Sequence, residues 1–359
     1  MYRILTSPSL SAKVFHIPLI LTTPSMTLHS IVQRTPTPTN SASKDHPSTK
    51  IYNSTEAMFA DPAIDLVVIT TTPDSHFTLC KSALEAKKHV LVEKPFVPTA
   101  AEAEKLMEIS KKESRLICVY QNRRWDSDFL TFRSLQAQGK LGRIVEFETH
   151  FDRWKPVRPA DTWKGTLSME HAGGVLYDLG THLIDQVVVA FGLPSSVMAI
   201  FQQQRQDGAG GPDAITVLLG YESGEHKGLL VTAKAAVISV ETQQLRYWVR
   251  GTEGTYMKLY LDVQEDQLKA GMKPGDDGFG IEPEGHSGLL TVLKDGKPAK
   301  DVLRNVKPET YGQLYGRFAE AIQKGDEKLV PVKAGEARDV LRVIEAAKES
   351  AKTRRTVDM

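Results

Sequence analysis

Apolar and polar residues change their period about a third of the way along the chain. In the first 120 residues, short apolar runs alternate with stretches of helical spacing. Residues 1–5 read as a short strand. Residues 12–21 read as a helix with Val14, Phe15 and Ile17 on its apolar side, and Pro18 falls where it would end or kink that helix. Residues 28–32 form a second strand. Residues 64–70 are a continuous apolar run, the pattern of a strand buried on both faces. A helix over 75–86, a strand over 89–92, a helix over 100–111 and a strand over 115–120 complete the series. Strands alternating with helices of about ten residues build right-handed βαβ units and a parallel sheet. Residues 1–121 are therefore predicted to form a doubly wound α/β domain that binds a nucleotide. Residues 36–50 are polar and proline-rich and read as a loop with no core of its own.

From about residue 145 the period is two. Residues 144–152, 196–202, 215–221, 228–236 and 245–251 alternate, as strands do in a sheet with one covered and one more polar face. Glycine-rich 208–211 and 271–280 read as loops, and 311–324 and 334–352 as amphipathic helices. Residues 122–333 are predicted to form a second, α+β domain built on this sheet. The helix over 334–352 is expected to pack back on the first domain. Within this half, Gly173-Gly174-Val175-Leu176-Tyr177-Asp178-Leu179-Gly180-Thr181-His182-Leu183-Ile184-Asp185 reads as a helix entered through a glycine pair. Asp178 and His182 are four residues apart and share a face, with Asp185 on the same side. Taken alone, this stripe is as readily a solvated face whose acid complements the helix dipole.

Composition narrows the classes. The 359 residues are 41% hydrophobic and 25% charged, which suits two globular domains. A net charge of +1 offers no field for nucleic acid or a membrane surface. The two cysteines, Cys80 and Cys118, fall in apolar patterns and supply neither a disulfide framework nor a metal spacing. No metal ligand set is expected. There is no apolar run of about 18 residues and no secretory leader, so a cytoplasmic protein is the expectation.

In a doubly wound domain the ligand sits at the carboxyl ends of the strands. The turn after the first strand should carry Gly-x-Gly-x-x-Gly/Ala; here it reads Ser7-Pro8-Ser9-Leu10-Ser11-Ala12. Ala12 suits the helix–strand contact. Ser7 and Ser9 replace the glycines that let a pyrophosphate approach, though their hydroxyls can donate to it. An adaptation, a lost cofactor site and a start codon or exon set too late all remain open at this turn. About twenty residues on, where an acid would hold the ribose of NAD, the chain has Gln33-Arg34-Thr35. Arg34 favours a 2′-phosphate, hence NADP over NAD; a plain surface arginine is the alternative. Glu93-Lys94-Pro95 sets a lysine at the carboxyl end of a central strand, in a turn stiffened by proline.

Thr70-Thr71-Thr72-Pro73-Asp74-Ser75-His76, Glu93-Lys94-Pro95 and Gly173-Gly174…Asp178…His182 together resemble the Gfo/Idh/MocA oxidoreductases, and the likeness runs through nearly the whole chain, including Gly335-Glu336-Ala337-Arg338-Asp339. Val14-Phe15-His16-Ile17-Pro18, Asn122-Arg123-Arg124-Trp125-Asp126, His150-Phe151-Asp152-Arg153-Trp154 and Gln264-Glu265-Asp266-Gln267-Leu268 are similar to the branch that holds NADP-dependent scyllo-inositol dehydrogenase. The resemblance implies a Rossmann-type first domain, a substrate-binding second domain with an open-faced, largely antiparallel sheet, and a homodimer through that sheet. It implies a cofactor site of Ser7, Ser9, Leu10, Ser11, Ala12, Arg34, Thr70, Thr71, Thr72, Pro73, His76, Glu93, Lys94 and Asn122. Substrate would meet Lys94, Arg123, Arg124, Trp125, Trp163, Asp178 and His182; for Arg123, Arg124 and Trp125, packing or pairing at the domain boundary is the equal alternative.

Hydride transfer from an alcohol to nicotinamide leaves a hydroxyl proton, which needs a base working near pH 7. His182 suits that task, with Lys94 sharing or relaying the proton and Asp178 holding substrate hydroxyls or orienting His182. The expected activity is an NADP-dependent sugar or polyol dehydrogenase or reductase. The competing readings are a nucleotide-binding regulator on the same fold and a product that has lost its cofactor.

Overall fold

The computed structural model describes residues 2–6, 9–158, 162–205 and 211–359. The chain divides into two compact units. The first comprises residues 1–122, 264–279 and 309–338, and the second comprises 123–263, 280–308 and 339–359. Residues 264–279 and 309–333, which the sequence pattern assigns to the second domain, cluster with the first, as does the start of the last helix up to Arg338. The last helix is divided at Arg338, with most of its length in the second unit rather than the first.

In the first unit the chain runs β1 (Tyr2–Thr6), a π turn over Ala12–His16, α1 (Ile17–Thr22), β2 (Met26–Val32), α2 (Ala42–Asp45), β3 (Lys50–Tyr52), α3 (Thr55–Phe59), β4 (Leu66–Ile69), α4 (His76–Glu85), β5 (His89–Val92), α5 (Ala100–Glu113) and β6 (Ile117–Val119). All strand pairs are parallel, in the order β3-β2-β1-β4-β5-β6. This is a doubly wound sheet whose direction of winding reverses between β1 and β4. Every residue of β4 and β6 is buried, as continuous apolar runs require.

Two local departures from the sequence reading have physical causes. Pro18 does not end the first helix. Instead the turn before it is π-wound, with Ile17 N donating to Ala12 O, and Pro18 sits in the first turn of the α segment, where its missing N–H costs nothing. Residues 36–50 are not a bare loop. They contain α2 and lead into β3, because the buried Gln33 amide donates to Asn40 O at 2.8 Å and accepts from Ala42 N at 2.8 Å. One polar side chain inside the sheet edge organises a segment whose composition carries no apolar pattern.

The second unit is built on α6 (Ser127–Ala137), β7 (Ile144–Asp152), α7 (Trp163–Thr166), a π turn over Leu176–Gly180, α8 (Thr181–Phe191), β8 (Ser196–Gln202), β9 (Ala214–Gly220), β10 (Leu230–Ala236), β11 (Leu245–Gly251) and β12 (Gly254–Leu259). After α9 (Gln264–Lys269) of the first unit come β13 (Gly288–Lys294) and β14 (Lys297–Leu303). Then follow α10 (Gly312–Lys324) of the first unit, α11 (Ala334–Thr353) and β15 (Val357–Asp358). The nine strands lie in the order β14-β13-β12-β11-β7-β10-β9-β8-β15, antiparallel except for β7 with β10. One face is core. Phe147 of β7 packs with Phe132 of α6 at 4.8 Å, with Phe191 of α8 at 5.3 Å and with Tyr247 of β11 at 5.4 Å. The strand registers put Met198, Ile200, Leu230 and Val302 on the opposite face, where they are exposed.

No helix among the described residues is long and apolar enough to cross a membrane.

Candidate active site

In the first unit the strand ends carry the expected groups. Ser7 lies outside the described residues. Ser9 caps the first helix: its carbonyl accepts from Lys13 N at 3.0 Å and its Oγ accepts from Ala12 N at 3.1 Å. A hydroxyl that accepts in this way keeps its own proton to donate. Leu10 is exposed, Ser11 is half-buried and Ala12 is fully buried, as close helix–sheet packing demands. Arg34 is exposed just past the end of β2. After β4, Thr70 and Pro73 are buried, and Thr71 Oγ1 accepts from Ser75 Oγ at 2.7 Å. Asn122 is buried at the unit's margin.

His76 is fully buried, and its ring is occupied by the protein. Nδ1 stands 2.9 Å from Pro95 O and 3.2 Å from Phe96 O, and Nε2 stands 3.1 Å from Thr71 O. It therefore ties the turn after β4 to the turn after β5. Burial holds its pKa below the ordinary imidazole value, against the pull of the three carbonyls and Glu93. Lys94 follows β5 directly, through a cis Lys94–Pro95 bond, and its backbone N–H donates to Glu93 Oε2 at 3.0 Å. Glu93 also accepts from Ser11 Oγ and stands 2.9 Å from His16 Nε2. These donors fit a nicotinamide dinucleotide. There is a serine-capped turn at the point where the winding reverses, an exposed guanidinium at the end of β2 and a lysine at the end of β5.

In the second unit, both glycines of the helix entry are explained. A Cβ on Gly173 would lie 1.9 Å from Leu167 O, and Gly174 has φ +84°. The chain then enters the π turn, a winding that recurs at functional sites. Asp178 lies in this turn, and its carboxylate accepts from Lys164 Nζ at 2.8 and 2.9 Å. His182 lies one turn on and is 6% exposed, with its ring 6.3 Å from that of Phe151. A carboxylate–ammonium pair beside a sheltered imidazole can hold a polyol's hydroxyls and accept a proton from one of them.

Other members of the expected site are engaged structurally. Asp185 is not part of an open stripe: it is 1% exposed and takes a bidentate pair from Arg124, at 2.9 and 2.7 Å. Arg123 is buried, pairs with Asp126 at 3.0 Å and lies 4.6 Å from the Phe151 ring. Trp125 is 5% exposed. Arg123 and Arg124 are thus each paired with a carboxylate of the second unit. Trp163 begins α7, and only its backbone is described. The sequence reading missed the Lys164–Asp178 pair, the His16–Glu93 contact and the anchoring of α8 by Gln186. The first spans 14 residues, the second 77, and the third joins partners 60 apart, so no local spacing announces them.

Comparison with known proteins agrees with this geometry. Residues 10–121 match the family model described as "Oxidoreductase family, NAD-binding Rossmann fold", and residues 133–359 match "Oxidoreductase family, C-terminal alpha/beta domain". An uncharacterized oxidoreductase of Schizosaccharomyces pombe is 36% identical over 97% of this chain and 96% of its own. The scyllo-inositol 2-dehydrogenase (NADP(+)) IolW of Bacillus subtilis is 34% identical over 97% of this chain and 93% of its own. The solved structure of the oxidoreductase yvaA from Bacillus subtilis superposes with a TM-score of 0.91 at 32% identity, covering 99% of this chain and 98% of that one. With both halves of the chain matched in order, the protein is a member of the Gfo/Idh/MocA family of oxidoreductases, with an NAD(P)-binding Rossmann domain.

Proposed function

We propose that the protein transfers a hydride between NADP and a sugar, an inositol or a related polyol or ketone. The observation that carries this reading is the sheltered His182 one turn from an Asp178 held by Lys164. When bound, nicotinamide supplies the hydride acceptor or donor. In alcohol oxidation the His182 imidazole takes the hydroxyl proton, and Lys94 shares or relays it. Asp178 accepts hydrogen bonds from neighbouring hydroxyls, with Lys164 fixing its carboxylate. In the reverse direction the same groups return the proton to the carbonyl oxygen. The exposed Arg34 at the end of β2 supports NADP, since a guanidinium there complements a 2′-phosphate and an acid there would complement a ribose hydroxyl. The exposed apolar face at Met198, Ile200, Leu230 and Val302 supports a homodimer through the nine-stranded sheet.

Fluorescence titration with NADPH, followed by turnover assays on inositols, aldoses and sugar ketones, tests the proposal. Binding and turnover that Lys94→Ala and His182→Ala abolish are expected, as is a shift toward NADH in Arg34→Asp. Tight NADPH binding with no turnover of any polyol would favour a nucleotide-binding regulator. No binding at about 1 mM, a weak-affinity limit, rules out both.

A further inference from the structure

The first unit contains a buried polar chain that hydride transfer leaves unused. His16 closes the π turn Ala12–His16 and is fully buried. Its Nδ1 stands 2.5 Å from the hydroxyl of Tyr315 on α10, and its Nε2 stands 2.9 Å from Glu93 Oε1. The Tyr120 ring packs on the imidazole at 4.3 Å, and its hydroxyl donates to Phe15 O, a carbonyl within the same π turn, at 3.0 Å. The ring is thus held from three sides by elements remote in sequence.

What it holds is the junction between two parts of the candidate site. Glu93 Oε1 accepts from Ser11, in the turn that would meet the dinucleotide. Glu93 Oε2 accepts from the backbone N–H of Lys94. One carboxylate therefore joins the start of the first helix to the lysine turn, and the imidazole braces that carboxylate. Burial alone would raise the Glu93 pKa. Hydrogen bonds from His16 and Ser11, with the electrostatic pull of His16 and Lys94, more than offset this and hold it at about 2. The sheltered carboxylate relies on the donors that His16 and Ser11 supply. The titratable groups facing Glu93 are His16, Lys94, His76 and Tyr315.

We propose that His16 is a positioning residue of the hydride-transfer site. Through Glu93 it fixes the spacing between the Ser9–Ala12 turn and Lys94. The inference rests on the proposed function.

The test compares His16→Gln, which keeps a neutral donor for Glu93, with Tyr315→Phe, which removes one hydroxyl and keeps the ring. Both variants are first shown to be folded by thermal melting. In His16→Gln the NADPH dissociation constant, read by fluorescence, rises about tenfold, the scale of a lost charge-assisted hydrogen bond. At saturating NADP, kcat for alcohol oxidation falls several-fold, because Lys94 is no longer held in place to share the proton. Tyr315→Phe moves both values the same way and less. The His16→Gln/Glu93→Gln double variant binds NADPH no more weakly than Glu93→Gln alone, because the two residues act as one unit. If His16→Gln does not fold, Tyr315→Phe carries the same two readouts. Unchanged values in the variants, or weaker binding with an unmoved kcat, overturn this inference alone. Wild-type protein that does not bind NADPH overturns the proposed function, and this inference with it.

Discussion

Arg246 Nη2 donates to Gln186 Oε1 across 2.6 Å, one helical turn beyond His182 on α8. The same guanidinium donates to Asp128 at 2.9 Å, Thr149 Oγ1 at 2.9 Å, His150 O at 3.1 Å and the Tyr247 hydroxyl at 2.7 Å. Gln186 Nε2 in turn donates to Arg123 O at 2.7 Å. A guanidinium and an amide, both buried, thus pin the His182 helix to the sheet. Truncating Arg246 to Met leaves the Asp128 carboxylate buried without its cation, a change of about 3–5 kcal/mol in stability. Guanidinium chloride unfolding measures it. A loss below about 1 kcal/mol, the size of an ordinary hydrogen bond, would show that the network does not anchor the helix.

Gly173→Ala places a Cβ 1.9 Å from Leu167 O, a backbone atom that cannot swing aside. The helix entry must shift, at a cost of about 1–3 kcal/mol or more. Asp178 and Lys164 should separate with it. The expected result is a lower melting temperature together with a raised polyol KM. A variant with wild-type KM would detach the glycine pair from the site.

Lys164 and Asp178 are partly exposed, so their pair adds little to stability. Lys164→Ala is expected to unfold like wild type while the polyol KM rises several-fold, because the carboxylate loses its fixed orientation. Asp178→Asn should raise KM further. A destabilised Lys164→Ala with unchanged kinetics would assign the pair to folding instead.

Glu93 gives acid stability a sign. Its folded pKa of about 2 lies below the ordinary 4.5, so its contribution is complete above about pH 4.5 and is lost as pH falls toward 2. The contribution at neutral pH is about 3 kcal/mol. Wild type and Glu93→Gln should therefore differ most near neutrality and converge between pH 4.5 and 2 in urea unfolding. A difference that stays constant across that window would show that the carboxylate is not selectively stabilised in the fold.

The doubly wound half was legible because burial on both faces forces continuous apolar strands, and β4, β5 and β6 lie within the runs that carry this mark. The alternating strands β7, β8 and β11 were equally plain, since one face of each meets the core. The edge hairpin β13–β14 was not, because few of its residues are buried and neither period appears in it. α2 was missed because the Gln33 side chain, not an apolar pattern, organises it, and β3 because its three residues are too few to show a period.

By itself, the sequence determined the alternation of strands and helices, the lysine after β5 and the Asp178–His182 spacing. These depend on local period and on turn chemistry, which neighbouring residues carry. Tertiary structure alone decided which partner each polar residue takes. Asp185 belongs to Arg124, Asp178 to Lys164 and Glu93 to His16, in pairs separated by 61, 14 and 77 positions. A charged side chain takes whichever partner the fold brings within hydrogen-bond reach, and that distance exists only after the chain has closed on itself.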